Sequence, residues 1–364
     1  MQPLYEDACR GLRLCPRPLP PRLWGAEPST LARLDPALAE GLAGPGAAGA
    51  VERLRELLGG LLGRGCAYCG APALRVAGYW RIWLLDGGGR AILEDLLPLC
   101  GNFLKAYRVE KARQSGGLEK AVERLAVVNG VAVEHARRVV ERVLEEWGRS
   151  LAVEHWRVEL PGLRRHGLQR GEAEALERLA NLLTNLPYLV ERSQLLVVSA
   201  SVEEQRTRAA ETLERLCSGG LDPGRVAEEA RARGLAPEAR SLAVHAASLR
   251  LRACSLPVHK ALELLEGAWV LVVPRSRRPG LVEGLAEAAG RGERWLLRME
   301  TSLEPRDPAQ VAVYTADAFD AGAAAEAARA VAGLLGGRVE MVYRPAAPGG
   351  RRLTGLILYR YTGG

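Results

Sequence analysis

Lysine and histidine are scarce in this chain. Only four of its 50 basic residues are lysines, at positions 105, 111, 120 and 260, and no histidine precedes His135. A hydrolase that activates water through an imidazole would have to take that group from the later part of the chain. The sequence also lacks any uncharged apolar run of about 18 residues, so it offers no candidate for a membrane-spanning helix.

The N-terminus and the cysteines bear on the cellular compartment. Residues 1–15 include acidic side chains where a secretory signal would be basic and then apolar. We therefore expect a cytoplasmic protein without a membrane partner. In that reducing compartment, seven cysteines at irregular spacing are not expected to form a disulfide framework.

The arginines give the chain a formal net charge of +7 and a pI of about 9.2. The planar, permanently charged guanidinium group matches the geometry of phosphate, so this composition is compatible with a nucleic-acid partner. A second interpretation stays open, because a bias toward Arg, Ala and Gly is also thermophile-like or follows from a GC-rich genome.

Four patterns follow one another along the chain and predict an α+β multidomain fold. They are a helical N-terminal segment over residues 1–62, a degenerate zinc-knuckle module over 63–165, a helical region over 166–256 and an α/β domain over 257–364. In the last segment, Val339, Met341 and Tyr343 alternate with other residues, as in a strand with one buried face. We expect a C-terminal mixed sheet with helices on one face. Its predicted strands are residues 268–274, 294–300, 310–315, 338–344 and 354–361, with helices over 279–289 and 321–335.

A cysteine pair separated by two residues, Cys66 and Cys69, predicts the first half of a zinc site. The second half offers Cys100 alone. A fourth ligand would have to come from Cys9, Cys15 or a distant histidine, since zinc sites accept three cysteines and one histidine. The alternative is a metal-free turn held by apolar packing of Trp80, Trp83, Leu97 and Phe103.

Several stretches between residues 65 and 160 occur in a recognisable order: Cys66-Ala-Tyr-Cys69-Gly70, Trp80/Trp83/Asp86, Leu96 to Cys100, Val127-Val128-Asn129-Gly130, Glu134-His135-Ala136, Trp147-Gly-Arg149-Ser150 and Trp156-Arg-Val-Glu159-Leu160. In this order they resemble the HNH endonuclease-like proteins, which are built on a zinc-held ββα core. That family has Cys-His where this chain has Phe103-Leu104, and a further His near Tyr107. Because an HNH nuclease needs an imidazole to activate water, the resemblance implies a catalytically inactive relative.

A second set of stretches lies near the C-terminus: Gly267-Ala-Trp269-Val-Leu-Val-Val, Val311-Ala-Val-Tyr314-Thr315-Ala-Asp317 and Thr354-Gly355-Leu-Ile-Leu-Tyr359. They are similar to the basophilic leukaemia-expressed protein family, whose fold is like that of the cap-binding translation initiation factor. The resemblance implies a curved sheet backed by helices. Cap recognition needs two aromatic planes around a base, whereas Trp269 and Trp295 are expected in strands as core residues.

Two groups of arginines in loops of the C-terminal segment are the predicted nucleic-acid-binding residues. Arg275, Arg277 and Arg278 follow the first predicted strand, and Arg351 and Arg352 precede the last. Arginines on loops beside a sheet can contact a phosphate backbone. They form one rim only if the first and last strands end near one another. The alternative is a solvated, charged edge.

These observations favour a non-catalytic nucleic-acid-binding protein, with RNA or a ribonucleoprotein as the ligand class and zinc as the cofactor. One alternative is an enzyme, either a divergent HNH-type nuclease or a phospho-residue lyase. Some members of the second family are labelled phosphothreonine lyases, which would need a lysine base and a histidine acid, and the only such pair near this segment is His259 and Lys260. The other alternative is a protein-interaction scaffold that binds protein partners and no nucleic acid.

Overall fold

A computed structural model describes residues 3–191, 194–347 and 353–363. The chain forms two compact units, Met1–Ser193 and Gln194–Gly364, here called the first and second units. This division differs from the four predicted segments, because the second unit begins with a strand at Gln194 and not at residue 257. In the described part of the chain, no helix combines the length and the apolar character needed to cross a membrane.

The first unit is mainly helical. Its helices are a short 3-10 helix at Pro21–Ala26, α1 (Pro28–Leu31), α2 (Pro36–Ala43), α3 (Ala47–Leu62), α4 (Gly101–Tyr107), α5 (Val109–Gln114), α6 (Leu118–Asn129), α7 (Val133–Ser150), α8 (Pro161–Arg165) and α9 (Arg170–Thr184). Its strands are β1 (Arg75–Leu85), β2 (Gly88–Leu99), β3 (Trp156–Glu159) and β4 (Tyr188–Glu191). α3 lies in the predicted helical segment, and Leu54, Leu58 and Leu61 are buried on one side of it.

A three-stranded sheet in the order β1-β2-β3 lies in the first unit. β1 and β2 are antiparallel, and β3 runs parallel to β2. Side chains alternate between two faces along each strand. One face is buried and includes Trp80, Ile82 and Leu93, while the other is only half-buried. Gly87 has a φ of 85°, which a residue with a side chain rarely adopts, and it lets the chain turn between β1 and β2.

The second unit combines helices with an antiparallel sheet. Its helices are α10 (Val202–Ser218), α11 (Pro223–Ala232), α12 (Ala239–Ala253), α13 (Val258–Leu265), α14 (Arg278–Gly290) and α15 (Ala321–Leu335). Its strands are β5 (Gln194–Val198), β6 (Ala236–Pro237), β7 (Gly267–Val273), β8 (Arg298–Ser302), β9 (Ala309–Thr315), β10 (Val339–Pro345) and β11 (Tyr359–Gly363). α15 begins after Asp320, whose side chain accepts the N–H of Ala323, and ends before Gly336 in the left-handed conformation.

The strand order within the second unit is β5-β8-β9-β7-β10-β11-β6. Every neighbouring pair in this order is antiparallel, so the prediction of a mixed sheet is wrong in its strand directions. Trp269 is a core residue, as predicted, and donates its ring N–H to the carbonyl of Ala324. Trp295 is also buried, as predicted, but it precedes β8, because the observed strand begins at Arg298 and the predicted one at residue 294.

Two disulfide bonds correct the expectation that the cysteines form none. Cys9 is bonded to Cys15 in the first unit, and Cys217 is bonded to Cys254 in the second. The second bond joins the last turn of α10 to the residue that follows α12, which are 37 positions apart in the sequence. Irregular spacing did not predict this bond because the packing of helices, and not sequence distance, brings the two cysteines together.

Candidate metal centre and nucleic-acid interface

Three free thiols converge in the first unit, as the sequence predicts. The sulfur atoms of Cys66, Cys69 and Cys100 all lie within 4.8 Å of one another, and those of Cys69 and Cys100 are 3.8 Å apart. In a tetrahedral zinc site with Zn–S distances of about 2.3 Å, two sulfurs are about 3.8 Å apart. The separation of Cys69 and Cys100 therefore fits zinc.

The backbone fixes this cluster at the end of the β1-β2 pair. Cys66 and Cys69 lie in a turn after α3, where the N–H of Gly70 donates to the carbonyl of Cys66 at 2.9 Å. The N–H of Ala67 donates to the carbonyl of Pro98, near the end of β2. Cys100 follows β2 and precedes α4 directly. The turn and the strand end therefore place the three thiols together.

The environment shifts the pKa values of the Cys66 and Cys69 thiols in opposite directions. Burial opposes ionisation of the Cys66 thiol, but hydrogen bonds from the backbone of Cys100, Tyr68 and Cys69 outweigh it and lower its pKa. A backbone bond from Ala71 lowers the pKa of Cys69, yet burial and the neighbouring thiols outweigh that bond and raise the pKa. The thiol of Cys66 therefore ionises more readily than that of Cys69, and binding of a cation would release protons from the cluster.

The fourth ligand predicted from Cys9 or Cys15 is excluded, because those sulfurs are bonded to each other. Within the described residues, the metal-capable cluster contains the three cysteines and no histidine or carboxylate. Three protein ligands leave a fourth tetrahedral position for water or for an outside group. The donor set fits zinc, because thiolates are its usual ligands in structural sites, but those sites have four protein ligands and this cluster supplies three.

Two residues of the stretch in which the resemblance implies Cys-His and a further His, Phe103 and Tyr107, have structural contacts here. Phe103 packs on Tyr68 of the cysteine turn, with ring centroids 5.8 Å apart. Tyr107 is buried and donates its hydroxyl to the carbonyl of Gly78 at 2.8 Å. Burial raises the pKa of Tyr107 well above its ordinary value. Neither side chain can replace an imidazole as a base near neutral pH.

The half-buried face of the three-stranded sheet carries an aromatic residue among arginines. Trp83 in β1 lies opposite Arg90 in β2, which in turn lies opposite Arg157 in β3. Residues directly opposite each other share a face of the sheet. The guanidinium carbons of Arg81 and Arg90 lie 6.0 and 5.8 Å from the centroid of the Trp83 ring. We call Arg81, Trp83, Arg90 and Arg157 the Trp83 face.

Carboxylates hold the arginines of the Trp83 face in position. Glu159 accepts two hydrogen bonds of 2.9 Å from Arg90 and lies 3.2 Å from Arg157. Glu94 lies 3.1 Å from Arg81. The contact with Arg90 lowers the pKa of Glu159, so this carboxylate is ionised at neutral pH. A phosphate would therefore have to compete with Glu159 for Arg90 and Arg157, and with Glu94 for Arg81.

The arginines predicted to bind nucleic acid in the second unit have different environments. Arg278 is fully buried as the first residue of α14, and its guanidinium donates to the carbonyls of Ser302 and Glu304. It is therefore not a surface residue, which corrects the prediction. Arg277 is exposed and donates to the carbonyl of Leu335 at 3.0 Å. Arg275 is half-buried, and its backbone N–H donates to Asp307.

Arg351 and Arg352 lie outside the described residues. The next residue, Leu353, pairs with Ala346 just after β10. The register places that end of β10 opposite Gly267, the first residue of β7, whereas Arg275 follows the last residue of β7. Those two ends of β7 are about 20 Å apart at about 3.3 Å per residue. The register therefore gives no support to a single arginine rim.

A cavity of about 420 Å³ in the first unit contains residues that the sequence did not single out. Arg53 and Arg64 from α3 and the residues after it, and Arg165 from α8, line it together with His166. Nε2 of His166 lies 2.6 Å from Oδ1 of Asp95 in β2. The sequence signal was weak, because His166 and Asp95 are 71 positions apart and Asp95 is one charged residue within a strand.

Comparison with protein-family models and with curated proteins finds no match to this chain.

Proposed function

We propose that this chain is a non-catalytic nucleic-acid-binding protein that binds single-stranded RNA through the Trp83 face of its first unit. The observation that supports the proposal is the half-buried Trp83 ring with two guanidinium carbons 5.8 and 6.0 Å from its centroid, and with Arg157 on the same face of the sheet. Bases stack on aromatic rings and guanidinium planes, while arginines neutralise the phosphates. A sheet face that carries an aromatic ring and arginines can therefore stack on a base and neutralise a phosphate at the same time.

The cysteine cluster supports this proposal as a structural device. Cys66, Cys69 and Cys100 would hold zinc, and the metal would fix the turn against the end of β2. A relation to the HNH-like proteins would then amount to a retained scaffold without the catalytic imidazoles. Phe103 and Tyr107, which pack within the unit, are consistent with that loss of catalysis.

Fluorescence anisotropy with a labelled single-stranded RNA tests the proposal. Binding should be measurable at about 50 mM salt and should weaken with salt by a slope of about 0.7 for each phosphate contact.

Trp83→Ala should weaken binding about tenfold, because stacking on one base contributes about 1–3 kcal/mol. Arg157→Met should flatten the salt dependence by about one contact, or 0.7 in slope. Glu159→Gln should strengthen binding about twofold by releasing two arginines from an ion pair.

The matched control is Arg170→Met. The side chain of Arg170 is 80% exposed, compared with 78% for Arg157, and it also pairs with a glutamate, but it lies on α9. This variant should bind RNA as the unmodified chain does. If the unmodified chain shows no affinity for RNA or single-stranded DNA at about 50 mM salt, where electrostatic binding is strong, nucleic-acid binding is excluded. The chain would then be a protein-interaction scaffold.

One observation favours a second candidate function, a phosphodiesterase. His166 is held by Asp95 in a cavity with three arginines, an arrangement that can orient an imidazole and bind a phosphate. The other ring nitrogen would accept a proton from water as the water oxygen attacks phosphorus, and the bond from phosphorus to the leaving oxygen would break as that oxygen takes a proton from solvent. The same RNA incubations separate the two functions on a denaturing gel, because cleavage that His166→Ala abolishes would establish the enzyme.

A further inference from the structure

The second unit contains a cavity of about 250 Å³ that no feature described above uses. α10 forms one wall, and the loop between β9 and α15 forms another. Arg294, from the segment before β8, also lines it. Pockets that bury drug-sized ligands measure about 300–1000 Å³. This cavity therefore suits a smaller molecule.

A buried carboxyl group lies in the loop wall of the cavity. Oδ1 of Asp317 accepts the N–H of Phe319 at 2.8 Å, and the hydroxyl of Thr212 on α10 also bonds to this carboxyl. Burial raises the pKa of Asp317 to about 6, although the bonds from Thr212 and Phe319 oppose the rise. Near neutral pH the group is a poorly solvated acceptor that a donor from the cavity would stabilise.

Gln205 on α10 provides a second acceptor. Its side chain is buried, and its amide nitrogen donates to the carbonyl of Leu296 at 2.8 Å and to the hydroxyl of Ser201 at 2.9 Å. Its amide oxygen has no hydrogen-bond partner among the residues that the structure describes. Because buried polar atoms are normally paired, this oxygen indicates a place for a donor group.

Arg215 provides the positive charge. Arg208 and Arg294 also line the cavity, but both lie against the carboxylate of Glu204. Arg215 instead donates to the hydroxyl of Thr212 at 3.2 Å and forms no direct ion pair with a carboxylate in the described part of the chain, although its charge acts on the nearby Asp317. Its guanidinium is therefore available to an acidic group of a ligand.

We propose that this cavity binds a small molecule with one acidic group and one ammonium group, either an amino acid or a phosphate ester of a small amine. Arg215 binds the acidic group. The ammonium group donates to the amide oxygen of Gln205 and to the carboxylate of Asp317. The remaining lining supports a ligand of mixed charge, because Glu211 and Asp320 lie in it beside the arginines.

Isothermal titration calorimetry of the full chain tests this site with four probes. O-Phosphoethanolamine and alanine carry both groups, whereas methyl phosphate carries only the acid and ethylamine only the ammonium. O-Phosphoethanolamine or alanine, or both, should bind about tenfold more tightly than either methyl phosphate or ethylamine. Tighter binding of O-phosphoethanolamine indicates a phosphate ligand, and tighter binding of alanine indicates a carboxylate ligand. Equal binding of one-group and two-group probes, or no binding of any probe at about 10 mM, would overturn the proposal.

Two variants locate the binding. Arg215→Met should weaken the two-group probe about tenfold, and Gln205→Leu should reduce its advantage over methyl phosphate. Arg206→Met is the matched control, because Arg206 is an exposed arginine of the same helix that pairs with Glu203 and does not line the cavity. Arg215 is exposed, so its replacement should leave the fold intact. Unchanged binding by Arg215→Met would contradict the proposed site.

Discussion

Two sets of arginines, one in each unit, differ in burial and in hydrogen-bond partners. In the first unit, Arg157 is 78% exposed, and Arg81 and Arg90 border the ring of Trp83. In the second unit, Arg278 is fully buried against backbone carbonyls, and Arg298 bonds to Glu266 and Glu300. The same residue type therefore lies on a surface in the first set and in the interior in the second. Burial and partners decide which arginines can contact a phosphate, since each unit contains both kinds: Arg108 of the first unit is buried and Arg277 of the second is exposed.

The cysteines of the two units also differ, and replacing those of the first unit should have the largest effect on stability. The first unit has three free thiols in one cluster, whereas the two cysteines described above in the second unit form a disulfide bond. Replacing Cys66 and Cys69 together by Ser should remove about one bound zinc per chain and destabilise the first unit by more than any single arginine replacement, because structural zinc contributes directly to folding. Metal analysis by mass spectrometry and hydrogen exchange of each unit measure these changes.

Replacing Cys217 and Cys254 by Ser is the control for that experiment. It removes a disulfide that closes a loop of 37 residues, but it should leave the zinc content unchanged. A purified chain that contains no zinc, or one that keeps its zinc after replacement of Cys66 and Cys69, would show that the thiol cluster is not a metal site.

A smaller effect should distinguish the buried arginine from the exposed one. Arg278→Met keeps the apolar stem but leaves the carbonyls of Ser302 and Glu304 without this donor, so it should destabilise the second unit by about 1–3 kcal/mol. Arg157→Met should change stability by no more than about 0.5 kcal/mol. Urea unfolding, with hydrogen exchange to assign each transition to a unit, provides the measurement. Similar losses in both variants would remove the distinction between the two units.

Local patterns predicted much of the fold. The helix over residues 321–335 is confirmed at both ends, because the side chain of Asp320 caps its first turn and Gly336 adopts the left-handed conformation that ends it. The strand predicted from residue 310 begins one residue earlier, at Ala309. Strand directions were less accessible, since the continuous apolar run of β7 is typical of parallel strands, yet both neighbours of β7 are antiparallel to it.

The site was predicted only where its residues are close in sequence or have a metal-binding pattern. Cys66 and Cys69 lie on one turn, and Cys100 follows the strand that packs beside it. The Trp83 face depends on the register of three strands, which no local pattern contains. Arg278 looked like a loop residue because its burial depends on the packing of α14 against carbonyls more than 20 residues away in the chain.

Cross-linking of bound RNA is the most direct test of binding at the Trp83 face, because it reports which unit contacts the bases. A single-stranded RNA containing 4-thiouridine would be bound to the full chain at about 50 mM salt, irradiated and digested, and the linked peptides identified by mass spectrometry. We expect links in peptides that contain Trp83, Arg90 or Arg157. Links confined to the second unit, for example in residues 275–278, would contradict it.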